Sequence, residues 1–193
     1  MLHSDKTELR RLLIAKRTSL SSDERQKAEK NIVERIVKTV QWQSAQKIAS
    51  YAPFKSEVNL SDLHESAWQE KKTLYLPVLQ HDQLVFAPYL PNSAMRLNQY
   101  QISEVDTDSD TLVTGCVLDL LLIPVVGFDN RAYRLGMGKG YYDKTLSTLL
   151  NEPLPKFAKR PFFMGVAFAC QEVIKLPIDP WDIPLDMIVT EKS

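Results

Sequence analysis

The chain has 193 residues, of which 44% are hydrophobic and 25% are charged, and its 24 Lys and Arg residues balance 24 Asp and Glu residues. This composition predicts one globular domain over residues 1–193 that is large enough to bury a substantial core. The balanced charge excludes an overall basic field, so we expect neither nucleic acid nor a membrane surface as a partner.

The N-terminus and the two cysteines indicate a cytoplasmic protein. Residues 1–17 lack the uninterrupted apolar core of a secretory signal, and no window approaches the roughly 18 apolar residues of a membrane span. Cys116 and Cys170 lie in apolar runs, which is typical of buried, reduced thiols. We expect a monomer, although the sequence does not determine oligomeric state.

The first half of the chain is predicted to alternate helices with strands. Apolar residues at helical spacing predict a helix over residues 5–17. Ser21 and Glu24 fit a capping box, which begins a second helix whose apolar stripe continues to residue 40. A short strand over 47–53 and a helix over 59–70 follow, and then strands over 73–79 and 83–90, which prolines interrupt or bound.

The second half contains the most apolar segment. Residues 92–114 are polar and acidic and are predicted to be mainly surface loop, whereas residues 117–128 are the best candidate for a buried central strand. A helix is predicted from residue 140, a buried strand over 161–169 and a last strand over 187–189. The pattern predicts an α/β single domain: a mostly parallel central sheet with helices on both faces, as in a Rossmann-like three-layer sandwich.

Four of the six glycines lie in one segment, at Gly127, Gly136, Gly138 and Gly140. Such a cluster is typical of a tight backbone path or of close approach to a ligand. A buried strand, a glycine turn and a helix N-terminus together favour phosphate binding. The two common nucleotide-loop patterns are nevertheless absent, because Lys139 is followed by Gly140 and the three later glycines strictly alternate.

Charged residues in this segment suit a small anion. Arg134 offers a planar fork and Lys139 a point charge for phosphate oxygens. Asp143 is either an ordinary acid that the helix dipole favours or a ligand of Mg²⁺, which takes one or two carboxylates beside phosphate oxygens. Tyr141 and Tyr142 cannot both face the core, so one of them is expected to face the ligand.

The segment GFDNRAYRLGMGKGYYDKTL resembles the signature of the 5-formyltetrahydrofolate cyclo-ligase family, also called 5,10-methenyltetrahydrofolate synthetases, which has the form G-x-x-F-D-x-x-G-x-R-L-G-x-G-x-G-Y-Y-D-R. The resemblance extends to KTELR near the N-terminus, to SYAPFKSEVNL and to PWDIPLDMIVTE near the C-terminus. Ala132 replaces a family glycine and Lys144 an arginine, so we expect a reshaped turn and the loss of one bidentate group.

The resemblance implies closure of 5-formyltetrahydrofolate to 5,10-methenyltetrahydrofolate, with ATP and Mg²⁺ required and with ADP and phosphate released, through a phosphorylated formyl group. The implied ATP site comprises Lys6, Arg10, Arg134, Leu135, Gly136, Met137, Gly138, Lys139, Gly140, Tyr141 and Tyr142. The implied catalytic residues are Arg134, Lys139 and Tyr142, and the implied folate-binding residues are Ala52, Glu57 and Tyr142. The implied metal ligands are Asp143 and Asp182, with Asp186 in reserve.

Two alternatives remain open from the sequence. One is a phosphotransferase that keeps the glycine loop but acts on another acceptor. The other is a folate-binding protein without turnover, which the presence of every charged residue proposed for the nucleotide site disfavours.

Overall fold

Helices and strands alternate in this computed structural model, which describes residues 2–151 and 159–193. The helices are α1 (Leu2–Thr18), α2 (Ser22–Lys38), α3 (Val40–Ser44), α4 (Ser61–Gln69) and α5 (Tyr141–Asn151). The strands are β1 (Lys47–Ala49), β2 (Thr73–Gln80), β3 (Gln83–Pro88), β4 (Met95–Leu97), β5 (Ser103–Val105), β6 (Leu120–Pro124), β7 (Gly127–Phe128), β8 (Arg134–Leu135), β9 (Phe162–Val166) and β10 (Met187–Val189).

Six strands form the central sheet in the order β10-β9-β6-β1-β2-β3. Neighbouring strands are parallel from β10 to β2, and β3 is antiparallel to β2. The apolar strand β6 lies between β1 and β9, and Leu120 to Ile123 are completely buried. A strand covered on both faces needs apolar side chains in both directions, which explains the uninterrupted run.

Helices cover both faces of the sheet. On one face, Ile32 and Ile36 of α2 belong to the same core cluster as Leu122 of β6. On the other face, Leu146 of α5 packs in a cluster with Phe163 of β9. The predicted three-layer α/β fold is therefore confirmed. Within the described residues, no helix has the length and apolar character needed to cross a bilayer.

Helix α1 packs beyond the carboxyl end of β6. Leu13 forms a core cluster with Val126, Leu135 and Leu176, all of which lie outside the central sheet. Gly127 allows this approach, because a Cβ atom at that position would collide with the Leu13 side chain. The sequence alone explained neither the position of α1 nor the reason for this glycine.

Two local predictions were wrong and one was incomplete. The segment 92–114 is mainly surface loop, as predicted, but it also contains β4 and β5, which form an antiparallel hairpin in which Glu104 and Val105 are buried. Residues 117–128 are not one strand: the chain leaves the sheet after Pro124, and β7 then pairs with β8. The two thiols are free, but they are half-buried. An apolar run predicts that a segment is mostly buried, but it does not predict where the backbone changes direction.

His64 lies in a polar stretch of sequence but is buried on α4, where its Nε2 is 2.8 Å from Ser50 Oγ. Burial lowers the pKa of His64 from 6.5 to about 4. The unfolded chain therefore takes up this proton first, and the native state loses stability as pH falls from 6.5 towards 4.

We expect His64→Gln to remove this part of the pH dependence. Over that pH range, the free energy of unfolding of the wild type should fall by about 3 kcal/mol more than that of the variant. Urea denaturation at pH 7.5 and at pH 4.5 measures the difference, and the carboxylates common to both proteins cancel. Equal pH dependence in the two proteins would contradict the prediction.

Candidate active site

A cavity of about 370 Å³ opens where β1 and β6 end. Ligands of open α/β sheets bind at the carboxyl ends of the strands, which is where this cavity lies. Its walls come from the chain after β1, from β2 and β3, from the β4–β5 hairpin, from the end of β6 and from the glycine loop with the start of α5. The lining residues are Tyr51, Ala52, Phe54, Glu57, Pro77, Leu79, Leu84, Asn98, Tyr100, Ile102, Ser103, Glu104, Pro124, Val126 and Met137 to Asp143.

The glycine loop leads directly into α5. Gly138 has φ +92° and Gly140 has φ +74°, values that side chains with a Cβ rarely adopt. Helix α5 begins at Tyr141, so its unpaired N–H groups lie at the cavity wall. This arrangement suits an anion, as the sequence predicted.

Helix α1 supports the loop from outside the sheet. Arg10 Nε donates to the Gly136 carbonyl at 2.8 Å, and its guanidinium carbon lies 3.3 Å from the place where a Cβ of Gly138 would be. One turn earlier, Lys6 Nζ donates to Asp179 at 2.7 Å and to Asp182 at 2.6 Å. Burial opposes the charge on Lys6, but these two carboxylates raise its pKa. The structure thus brings Lys6, Arg10 and the loop together.

Arg134 is the buried cation of the site. Its side chain is 3% exposed, its Nη2 donates to Asp143 Oδ1 at 2.5 Å and its Nη1 donates to the Ile183 carbonyl at 2.7 Å. Burial lowers the pKa of Arg134, although Asp143 and Asp182 oppose this shift. Burial also raises the pKa of Asp143, and the charge of Asp182 adds to the effect. Two carboxylates and one guanidinium therefore share a small volume.

These carboxylates fit a magnesium site. Asp143 and Asp182 are each neutralised by a side-chain cation, Arg134 and Lys6 respectively. In the part of the chain that the structure describes, no three His, Cys, Asp or Glu residues form a metal-binding group. Mg²⁺ takes only one or two carboxylates when phosphate oxygens complete its shell, so two are sufficient.

Asp186 is placed differently from Asp143 and Asp182. Its two oxygens accept from Arg160 at 2.7 Å each, and Oδ2 also accepts from the Phe163 amide at 2.8 Å. The carboxylate thus fixes the start of β9. The structure brings the two first-choice candidates, Asp143 and Asp182, close to Arg134, whereas the reserve candidate pairs with Arg160.

Glu57 lies in the cavity wall supplied by the chain after β1, together with Ala52. Its Oε2 accepts from the Phe54 amide at 3.0 Å. Burial raises the pKa of Glu57, while the Phe54 N–H and the charge of Arg17 oppose the rise. A half-buried carboxylate in a largely apolar cavity is suited to accept hydrogen bonds from a polar ring system.

Tyr142 connects the two ends of the cavity. Burial raises the pKa of its hydroxyl, Glu57 adds to the rise and Arg134 opposes it, so the phenol is near both charged groups. The hydroxyl is consequently protonated at neutral pH. Lys139 is exposed, and its Nζ lies 5.4 Å from the ring centroid of Tyr100.

The β4–β5 hairpin contributes residues that the sequence analysis missed. The Tyr100 hydroxyl lies 2.7 Å from that of Tyr141. Glu104 Oε1 accepts from Asn98 Nδ2 at 2.7 Å and from the Leu79 amide at 3.0 Å, which joins the hairpin to β2. The only sequence signal was an acidic residue beside Val105, and three-residue strands are too short to show alternation.

Ala132 has φ +58° in the turn between β7 and β8. The position is one where the resembling family has glycine, and a Cβ there is strained. Ala132→Gly is expected to raise the free energy of unfolding by about 0.5–1 kcal/mol. Ala15→Gly, in exposed α1, is the matched control and should lower it by about 1 kcal/mol. Chemical denaturation measures both, and two losses of similar size would contradict the prediction.

Comparisons with known proteins agree along nearly the whole chain. A model of the 5-formyltetrahydrofolate cyclo-ligase family matches residues 2–191. The chain is 34% identical over 188 residues to a 5-formyltetrahydrofolate cyclo-ligase of Haemophilus influenzae, with 95% of each chain covered. It is 33% identical over 178 residues to the protein of that name from Escherichia coli K12, with 91% of this chain and 94% of the relative covered.

Two solved structures are similar in fold. A 5,10-methenyltetrahydrofolate synthetase from Mycoplasma pneumoniae has a TM-score of 0.74 at 27% identity, with 97% of this chain and 99% of that chain covered. The 5,10-methenyltetrahydrofolate synthetase of Aquifex aeolicus has a TM-score of 0.81 at 31% identity, with 97% and 90% covered.

Proposed function

Because this chain belongs to the 5-formyltetrahydrofolate cyclo-ligase family and is such a ligase, we propose that it closes 5-formyltetrahydrofolate to 5,10-methenyltetrahydrofolate with ATP and Mg²⁺. One observation carries the proposal. A single cavity has the glycine loop with the Lys139 side chain at one end and the half-buried carboxylate of Glu57 at the other, and Tyr142 lies between them.

The chemistry explains why two such ends are needed. A formamide carbon is a poor electrophile, and its oxygen is a poor leaving group. Transfer of the γ-phosphoryl group of ATP to the formyl oxygen forms an O–P bond and releases ADP. N10 of the folate then attacks the activated carbon, and the C–O bond breaks as phosphate departs. Such a reaction depends on positioning and on charge neutralisation more than on a protein nucleophile.

The nucleotide is proposed to bind along the glycine loop. The N–H groups at the start of α5 suit phosphate oxygens, and Arg10, Arg134 and Lys139 supply positive charge. Arg10 already contacts the Gly136 carbonyl and is thus fixed beside the loop. Lys6 lies one helical turn before it and is proposed to reach the same phosphates. Leu135 and Met137 complete the loop path.

Asp143 and Asp182 are proposed to hold Mg²⁺, which when bound neutralises phosphate charge. Arg134 and Lys6 now neutralise these two carboxylates. If the two carboxylates bound Mg²⁺ instead, Arg134 and Lys6 would be free to bind phosphate oxygens.

The folate is proposed to bind at the other end of the cavity. Glu57 accepts hydrogen bonds from donor groups of the pterin, and Ala52 lies against its ring system. The Tyr142 hydroxyl keeps its proton at neutral pH and can therefore donate to the formyl oxygen. Its position near Arg134 supports a contact close to the proposed phosphate-binding cations.

We further propose that residues 1–193 act as one domain, which the match over residues 2–191 supports. A monomeric, cytoplasmic enzyme without a nucleic-acid partner stays a prediction.

The test combines the purified protein with 5-formyltetrahydrofolate, ATP and Mg²⁺ and follows the absorbance of the methenyl product together with ADP. Equal amounts of the two products, formed only when all three components are present, are the expected result. ADP without the methenyl product would indicate a phosphotransferase with another acceptor. Folate binding without either product would indicate a binding protein and would overturn the proposal.

A further inference from the structure

Arg17 is a buried charge that the reaction described above does not use. It lies in the last turn of α1 and is 1% exposed. Burying a cation is costly unless it is fully paired. Within the described ranges, its Nη2 is the only buried side-chain nitrogen or oxygen without a hydrogen-bond partner. An incompletely paired buried cation calls for an explanation other than local stability.

The contacts of Arg17 join two walls of the cavity. Nε donates to Ser56 Oγ at 3.0 Å, and Ser56 immediately precedes Glu57. Nη1 approaches the Val125 carbonyl at 3.5 Å, and the residues on either side of Val125 line the cavity. The guanidinium therefore lies behind the cavity, where the Glu57 loop meets the end of β6.

A second arginine supports the same loop. Arg25 Nη1 donates to the Ser56 carbonyl at 3.0 Å, and Arg25 Nη2 donates to the Arg17 carbonyl at 2.5 Å. The loop also contains Lys55 at φ +54°, a conformation that needs support from its surroundings. Burial lowers the pKa of Arg17, and among the nearby charges Glu57 opposes this most. Burial likewise raises the pKa of Glu57, and the charge of Arg17 opposes that rise.

We propose that Arg17 is a positioning residue for folate recognition, which holds the loop that carries the Glu57 carboxylate in place without touching the substrate. The inference rests on the proposed function, because it takes Glu57 as a group that meets the pterin. It adds a requirement for a cation from α1 at the folate end of the cavity, separate from the Lys6 and Arg10 contacts at the nucleotide end.

A double-mutant cycle tests whether Arg17 acts through Glu57. Equilibrium dissociation constants for 5-formyltetrahydrofolate, measured without ATP, are compared among wild type, Arg17→Met, Glu57→Gln and the double variant. Arg17→Met should weaken folate binding about tenfold, which is typical of coupled neighbours. In the Glu57→Gln background the same change should have little further effect. The dissociation constant for ATP should be unchanged throughout.

Two further variants separate positioning from loss of fold. Lys16→Met removes an exposed cation from the same helix turn and should leave folate binding unchanged. Arg17→Lys keeps the charge but loses the fork that spans Ser56 and Val125, so its folate affinity should lie between those of wild type and Arg17→Met. If Arg17→Met fails to fold, the double-mutant cycle is made with Arg17→Lys. Its effect on the dissociation constant for the folate is then compared between the wild-type and Glu57→Gln backgrounds.

Each contrary outcome is distinct. An equal loss of affinity with and without the Glu57 carboxylate would overturn the proposal, because Arg17 would then act elsewhere. Wild-type affinity in Arg17→Met would overturn it as well. A wild-type chain that binds no 5-formyltetrahydrofolate would instead overturn the proposed function, and this inference with it.

Discussion

Asp143→Asn is expected to lower kcat by at least about a hundredfold, which is the scale for loss of one group that stabilises developing charge. Asparagine keeps the size of the side chain and one oxygen but removes the charge that Mg²⁺ requires. It also leaves the buried Arg134 without its carboxylate partner. Turnover is measured as methenyl product against Mg²⁺ concentration, and the dissociation constant for the folate should be largely unchanged.

Asp82→Asn is the matched control for this change. Asp82 is an exposed carboxylate that pairs with Lys144 at 2.9 Å. Lys144 is the residue that follows Asp143 in the chain. Exposed pairs contribute little, so its kcat and its Mg²⁺ dependence should equal those of the wild type. Unchanged turnover in Asp143→Asn would remove Asp143 from the proposed metal site.

Arg134→Lys is expected to lower kcat/KM for ATP by about a hundredfold. The expected loss is that of roughly two charge-assisted hydrogen bonds, which the planar guanidinium can make and an ammonium group cannot. Arg134 reaches Asp143 and the Ile183 carbonyl with two different nitrogens. A lysine keeps the charge but presents a single nitrogen, so it cannot span both. Initial rates against ATP concentration, at saturating folate, measure the effect.

Arg131→Lys provides the comparison within the same segment. Arg131 also makes a fork to an aspartate, Asp129, at 2.6 and 3.1 Å, but it is half-exposed and its partner is not one of the carboxylates proposed for the metal site. Arg131→Lys should lower the free energy of unfolding but should leave kcat/KM for ATP nearly unchanged. If both lysine variants lose activity to the same degree, the effect of Arg134 is structural and its proposed role at the phosphates fails.

Much of the fold follows from local sequence patterns. The capping box at the start of α2 is present as predicted, since the Ser21 amide donates to Glu24 at 2.9 Å and the Glu24 amide donates to Ser21 Oγ at 3.3 Å. The apolar run of β6 is buried because both faces of a central parallel strand are covered. These features depend on residues close in sequence, so the sequence predicts them.

Without the family resemblance, the candidate site was predictable only where its residues are neighbours in the chain. The glycine loop is one continuous segment, and family resemblance identified it together with Lys6, Arg10 and Glu57. Tyr100 and Arg17 were missed, because their contacts are with Tyr141 and Ser56, which lie 41 and 39 residues away. Spacing cannot show such contacts, since they exist only once the sheet has assembled.

The contact of Lys6 with Asp182 spans 176 residues, nearly the whole chain. During synthesis, α1 is made long before Asp179 and Asp182, its acidic partners. An incomplete chain therefore has a basic helix whose acidic partners do not yet exist. Contacts between distant residues form late because closing a long loop costs entropy. On this view, the proposed nucleotide site is assembled only after Asp182 has been added to the chain, however early its first residues are made.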